Sequence, residues 1–117
     1  MRESIKVLQE CAEIQDKKSR DYQNPNSRIK QNDYYPRGVM SIMELINTKN
    51  IRLWSVLEAM ENDPNYEPNF ESVEDSLKDM INYASFAVAY CRGKIDGQDT
   101  NRDFLNREKK NENRTDG

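Results

Sequence analysis

Apolar residues recur at helical spacing along three stretches of the chain, separated by segments rich in proline, glycine and asparagine. The first stretch, residues 3–22, predicts a helix, because apolar side chains recur there about every third or fourth position. Its stripe consists of Ile5, Leu8, Cys11, Ala12 and Ile14. Residues 23–40 contain Pro25, Pro36, Gly38 and several asparagines, which is typical of a loop.

A second helix is predicted from about Ile42 to Glu61. Ser41 and Glu44 have the spacing of a capping box, a sequence signature of a helix start. The prolines at 64 and 68 end this pattern, because proline breaks a helix interior. The apolar stripe of this helix consists of Ile42, Met43, Ile46, Leu53, Trp54, Leu57 and Met60.

A third helix is predicted from Ser72 or Val73 to Arg92, with Gly93 as its C-terminal stop. One apolar stripe on this helix is expected to face the core, and a polar and aromatic face lies opposite to it, within an arc of roughly 60°. The stripe is Leu77, Ile81, Ala84 and Val88, and the opposite face is Asp75, Asp79, Asn82 and Phe86.

The remaining residues, 94–117, contain few apolar side chains. Phe104 and Leu105 are the pair that could anchor one short helix, and otherwise this segment is expected to be a mobile polar tail. No stretch alternates for long enough to predict a strand. We therefore expect an all-α domain over residues 1–93, with a three-helix core and a long basic and aromatic loop after the first helix.

The composition adds an expectation about assembly. A chain of 117 residues is the size of one domain, and 33% of its residues are charged against 35% hydrophobic. Such a small apolar fraction gives a thin core, and small proteins often compensate by associating. The sequence therefore predicts a helical-bundle homo-oligomer.

Charge and residue usage exclude several classes of function. The net charge of −3 argues against broad binding of duplex nucleic acid, and the absence of histidine excludes histidine-based catalysis and histidine metal ligands. No long apolar run or signal peptide is evident, which predicts a cytoplasmic protein without a membrane partner. Cys11 and Cys91 fall on apolar helix faces, which favours free buried thiols over a disulfide.

The polar face of the third helix is the first candidate for chemistry. Its carboxylates could hold Mg²⁺ together with substrate phosphates, and its amide and rings, including Tyr83, could equally bind a base or ribose. The alternative is structural: early acids complement the helix dipole, Ser72 and Asp75 form a capping box, and Phe86 could lie in a subunit contact.

Cations and tyrosines form the second candidate. Lys49 and Arg52 lie one turn apart on the second helix and could bind phosphate, although a lysine beside an apolar stripe usually extends its charge into water. The loop interleaves cations with paired rings, which suits base stacking and phosphate contact, or else rings packed over the helices. These loop residues are Arg28, Lys30, Tyr34, Tyr35 and Arg37.

Three segments together resemble the nucleotide-modification-associated domain family, small helical proteins of phages and bacteria. They are "KKSRDYQNP" (17–25), "SIMELINTKNIRLWSVLE" (41–58) and "EDSLKDMINYASFAVAY" (74–90), and the similarity covers about residues 5–93. The resemblance implies that one set of positions acts together around a nucleotide. That set is Lys17, Asp21, Tyr22, Lys49, Arg52, Asp79, Asn82 and Tyr83.

Three functions are therefore expected as alternatives. The first is a binding protein that captures a nucleotide or a nucleotide-derived signal. The second follows from a more distant similarity to MazG-type pyrophosphohydrolases, and would place Mg²⁺ on Glu71, Asp75 and Asp79, with Glu10 or Glu13 completing the shell. The third is a helical interaction module without a small ligand.

Overall fold

The computed structural model describes residues 2–22, 26–67 and 73–109, and it is helical, as the sequence predicts. Helix α1 spans Glu3–Tyr22, α2 spans Val39–Asn62, and α3 spans Val73–Cys91. A short 3₁₀ helix, Gln31–Tyr34, interrupts the connection between α1 and α2. Within the described ranges no strand forms, and no helix is long and apolar enough to span a membrane. The predicted bounds of α1 are confirmed.

The end of α3 follows the predicted signal at Gly93. This glycine has a φ of 71°, a left-handed conformation that glycine adopts without a Cβ penalty. The N–H of Lys94 donates to the carbonyl of Ala89 at 3.0 Å, and the N–H of Gly93 donates to that of Tyr90 at 3.0 Å. These two bonds are those of a Schellman motif, which satisfies carbonyl groups of the last turn.

The start of α2 differs from the prediction, and the capping box at Ser41 and Glu44 is wrong. The helix begins at Val39, with Gly38 as its N-cap at a φ of 62°. The N–H of Val39 donates to the carbonyl of Phe104 at 2.8 Å, so a distant segment satisfies a donor that the helix itself leaves open. The hydroxyl of Ser41 instead accepts from the N–H of Arg37 at 2.9 Å.

Gly38 and Gly93 form a matched pair for a stability test. Both have positive φ, but a Cβ at Gly38 would collide with the carbonyl oxygen of Phe104, whereas a Cβ at Gly93 meets nothing within 4 Å. We expect Gly93→Ala to cost about 1–2 kcal/mol of unfolding free energy from the left-handed backbone alone. Gly38→Ala should cost about 2 kcal/mol more, because backbone must move. Urea midpoints measure both, and equal losses would contradict the contact with Phe104.

The buried core is small and joins four segments of the chain. Tyr35 from the loop, Ile42 from α2, Tyr90 from α3 and Ile95 from the C-terminal segment are each at most 7% exposed. The rings of Tyr35 and Tyr90 meet edge to face, with centroids 6.3 Å apart. Tyr35 is therefore a core residue. Of the two interpretations offered for the loop tyrosines, stacking on a ligand or packing over the helices, this position shows the packing.

The C-terminal segment contacts this core through Ile95 and Gln98. Residues 94–109 contain turns and an isolated bridge between Arg102 and Glu108, and no helix forms around Phe104. The side-chain amide of Gln98 donates to the carbonyl of Tyr90 at 2.9 Å. Ile95 therefore belongs to the core, the domain bounds of 1–93 remain a prediction, and residues 110–117 lie outside the described ranges.

The orientation of α3 is the opposite of the predicted one. Leu77 and Val88, from the stripe expected in the core, are 45% and 50% exposed, whereas Asn82 and Tyr90 are 6% and 1% exposed. Both α1 and α2 pack against the polar and aromatic side of α3. Aromatic rings supply large contact area there, so the polar and aromatic side, which was expected opposite the core, is the inner side.

The burial of the two cysteines follows from this orientation of α3. Cys11 is 2% exposed, and burial raises the pKa of its thiol. Its Sγ lies 3.9 Å from the carbonyl oxygen of Lys78, at the contact between α1 and α3. Cys91 continues the outward stripe of α3 and is exposed, so its predicted burial is wrong, although both thiols are free.

Candidate functional site

A cavity of about 400 Å³ lies between α1, the loop that carries the 3₁₀ helix, and the inner face of α3. This volume is in the range of small-molecule sites, which run from roughly 300 to 1,000 Å³. The lining residues are Ile14, Gln15, Asp16, Lys18, Ser19, Gln31, Tyr34, Tyr35, Leu45, Asp79, Asn82, Tyr83, Phe86 and Asp96. The polar face of α3 and the paired loop tyrosines therefore meet at one site.

Aromatic rings line the cavity on two sides. Tyr34 belongs to the 3₁₀ helix and is 55% exposed, while Tyr83 and Phe86 belong to α3 and are half-buried against the core. The adjacent Tyr35 is fixed through its hydroxyl, which accepts from the side-chain amide of Gln31 at 3.1 Å. Rings held on separate elements can accept a planar ligand between them.

An amide cluster supplies directional polar groups. The Nε2 of Gln15 on α1 donates to the Oδ1 of Asn82 at 2.8 Å and to the Oγ of Ser85 at 2.8 Å. Ser85 in turn donates to the backbone carbonyl of Asn82 at 2.7 Å. The bond from Gln15 holds the side chain of Asn82, which is 6% exposed, at the contact between α1 and α3.

Two lysines, Lys49 and Lys78, form ion pairs at α3, and Asp79, the partner of Lys49, lines the cavity. The Nζ of Lys49 on α2 lies 2.9 Å from the carboxylate of Asp79, with side chains only 13% and 21% exposed. Immediately before Asp79 on α3, the Nζ of Lys78 lies 3.1 Å from Glu10 and 3.4 Å from Glu74. The hydrogen bond to Glu10 is the largest cause of the raised pKa of Lys78.

The Lys49–Asp79 pair gives a direct stability prediction. Asp79→Ala should cost about 1–3 kcal/mol of unfolding free energy, because a partly buried ammonium loses a carboxylate that lies 2.9 Å away. The fold should survive a loss of this size. In the double variant with Lys49→Met, part of the loss should be recovered, and urea unfolding measures both. Losses that simply add would mean that the pair contributes no coupling energy.

The predicted site residues separate into two groups. Six of them line the cavity, and Lys49 reaches it through Asp79; the six are Tyr34, Tyr35, Asp79, Asn82, Tyr83 and Phe86. Five others do not line it, namely Lys17, Lys30, Arg37, Arg52 and Asp75. Of these, Arg37 pairs with Glu44 on the outside of α2, and the ligand roles assigned to all five remain predictions.

Some predicted residues lie beyond the part of the chain that the structure describes. Glu71 is outside the described ranges, and so are the side chains of Asp21 and Tyr22. Among the residues that are described, no group of three or more carboxylate and cysteine side chains could hold a metal ion. The Mg²⁺ set therefore remains a prediction that the contacts of Asp79 and Glu10 do not support.

Sequence reasoning missed Gln15, Asp16, Lys18 and Asp96. A signal for Gln15 exists in the sequence, since it follows Cys11 by one helical turn and so shares the face of α1 that packs on α3. No comparable signal marks Asp96, whose carbonyl accepts the N–H of Asn32 at 3.0 Å and so ties the C-terminal segment to the loop. This contact depends on tertiary structure alone.

Comparison with known proteins adds no further assignment. No protein family matches the chain, and neither the curated proteins nor the solved structures include a match.

Proposed function

We propose that the protein is a binding protein for a nucleotide or nucleotide-derived molecule, whose base occupies the cavity. The observation that carries this proposal is the meeting of Tyr34, Asn82 and Phe86, from two separate elements, around a single space of about 400 Å³. A planar, hydrogen-bonding ligand uses both properties of such a space, its ring faces and its fixed amide.

The amide cluster suits the edge of a base. The Oδ1 of Asn82 accepts from Gln15, which leaves the Nδ2 of Asn82 to donate to a carbonyl or ring nitrogen. Because the side chain of Asn82 is already held by the bond from Gln15 on α1, little conformational entropy is lost when it binds. The ring of Tyr34, on the exposed side of the cavity, would stack on the base.

The charges around the cavity limit how many phosphates the ligand carries. Asp16, Asp79 and Asp96 line the cavity with carboxylates, whereas Lys18 is the cation among the lining residues. Lys49 does not line the cavity, but its ion pair with Asp79 offsets the charge of that carboxylate. A triphosphate inside this space would meet net repulsion. The ligand that fits best is a nucleoside or a nucleotide with few phosphates, with its phosphate at the rim near Lys18.

A ligand panel tests this proposal. The purified protein is incubated with nucleosides and nucleoside mono-, di- and triphosphates, with and without Mg²⁺, while thermal unfolding and product release are followed. A bound ligand at about 100 times its dissociation constant stabilises the fold by about 2.7 kcal/mol. We expect stabilisation without turnover, strongest for nucleosides or monophosphates. Mg²⁺-dependent release of pyrophosphate would instead support the hydrolase alternative, and no response across the panel would contradict nucleotide binding.

A further inference from the structure

About one third of the circumference of α3 is left open by α1 and α2. The helix contacts α1 through Lys78, Asn82 and Ser85, and it contacts α2 and the core through the side that carries Asp79, Tyr83 and Tyr90. Its remaining side holds apolar residues at alternating spacings of four and three, the pattern of a helix that packs against a partner helix. These are Leu77, Ile81, Ala84, Val88 and Cys91, and all but the half-buried Ile81 are exposed.

Helix α2 adds apolar side chains on the same side. Leu45 lies on the flank of α2 that lines the cavity with α1. Leu57 and Trp54 lie on the other flank, as the helical repeat requires, and are 39% and 66% exposed. The pair of α2 and α3 is therefore covered by α1 on one side and presents an apolar surface, here called the open face, on the other.

The open face has the apolar area of a homodimer interface. Taking roughly 200 Å² for a fully exposed side chain of this size, its large residues expose on the order of 500 Å². A standard interface buries about 800 Å² on each partner, of which about 65% is apolar in homodimers. The large residues are Met43, Trp54, Leu57, Leu77 and Val88, between 39% and 66% exposed.

We propose that the open face is covered by a second copy of this chain, related by a two-fold axis that passes near Ala84, so that the two α3 helices are antiparallel. The stripe is self-complementary in this arrangement. Leu77 and Cys91 are each seven residues from Ala84, on opposite sides, so each would meet the other in the partner copy. The small side chain of Ala84 at the centre lets the two helices approach closely.

Charge complementarity selects the antiparallel arrangement. Glu74 and Arg92 lie on the same flank of the stripe, because 18 residues correspond to five helical turns, and both are exposed. They lie ten and eight residues from Ala84 on opposite sides, so the axis would bring Glu74 of one copy near Arg92 of the other. In a parallel pair, Glu74 of one copy and Arg92 of the other would lie about 27 Å apart along the helix axis, so this attraction would be absent. The open face is thus complementary to a second copy of itself in both shape and charge.

Sedimentation equilibrium of the full chain tests whether a second copy covers the open face. We expect a species of twice the 13.8 kDa chain mass at a concentration on the order of 100 µM. Val88→Glu should raise the dimer dissociation constant at least about 100-fold, because the buried charge enters a symmetric interface twice. Leu8→Glu is the control, since Leu8 is 51% exposed on α1, the helix that covers the opposite side of the α2 and α3 pair. A monomeric wild type, or a Val88→Glu variant that dimerises like the control, would overturn the proposal.

A charge exchange tests the orientation without disturbing the apolar stripe. Glu74→Arg and Arg92→Glu should each weaken the dimer about 10-fold through two new like-charge pairs, and the double variant should recover it. Circular dichroism verifies that every variant keeps its helix content. If the double variant is no tighter than the two single ones, the antiparallel register about Ala84 is wrong.

Discussion

Replacing Tyr34 by alanine is expected to weaken nucleotide or nucleoside binding roughly 10- to 100-fold, while the urea midpoint changes little. The ring lines the cavity and is 55% exposed, so it contributes to the ligand site more than to the core. Stacking of a base on an aromatic side chain contributes about 1–3 kcal/mol, which corresponds to this range of affinity. Calorimetric titration with the ligand that stabilises the protein most gives the measurement.

Tyr66→Ala provides the matched control for that experiment. Tyr66 is also a partly exposed tyrosine, 37% exposed, but it follows the C-terminal end of α2 and does not line the cavity. Its removal should leave the affinity unchanged. Equal affinities of the Tyr34→Ala variant and the wild type would show that the ligand does not stack on this ring.

Ile42→Ala is expected to lower the free energy of unfolding by about 3–4 kcal/mol, a large part of the stability of a domain this size. Ile42 is fully buried and joins the loop, α3 and the C-terminal segment in the core. With so few buried side chains, we expect the cavity left behind not to be filled by neighbours. Urea unfolding at fixed protein concentration measures the loss.

Ile51→Ala, nine residues later on the same helix, is the control that separates the effect of burial from that of helix propensity. Ile51 lies on the same helix and is 59% exposed, so Ile51→Ala should change the free energy by less than about 0.5 kcal/mol. Both variants gain the helix propensity of alanine. If the two variants lose similar stability, Ile42 is not the centre of the core.

The sequence predicts the helices better than it predicts their orientation. Helix α1 matches its predicted bounds, and α3 ends at the glycine expected to stop it, because periodicity and a left-handed terminus are local properties. The start of α2 depends on the carbonyl of Phe104, some 65 residues away along the chain, and no local signal marks that contact. Local capping rules therefore misplaced it at Ser41.

The inversion of α3 has a similar cause. A clean apolar stripe predicts which side is buried, but it does not say whether the burying partner is the same chain or another one. The inner side of α3 contains Tyr83, Phe86 and Tyr90, whose rings supply more contact area than the aliphatic stripe opposite. Helix α3 therefore has two sides that can be buried: the aromatic side packs within the chain, and the aliphatic stripe is left for the second copy that we propose.

The candidate site was predictable where the helical repeat determines it. The repeat places Asp79, Asn82 and Phe86 on one face of α3, and the structure turns that face into the cavity together with Tyr34. The cations of the loop were not predictable in this way, because a loop has no repeat that sets the direction of its side chains. As a result, the basic part of the expected site lies mostly outside the cavity.

The most direct test of nucleotide binding in the cavity is a two-dimensional ¹H–¹⁵N spectrum of the labelled protein, titrated with the ligand that stabilises it most. The side-chain amide groups of Asn82 and Gln15 give their own signals, and their protons lie at the cavity wall. We expect these signals and the backbone signal of Tyr34 to shift in saturable proportion to bound ligand. Saturable shifts confined to other parts of the chain, with the Asn82 and Gln15 amides unchanged, would contradict it.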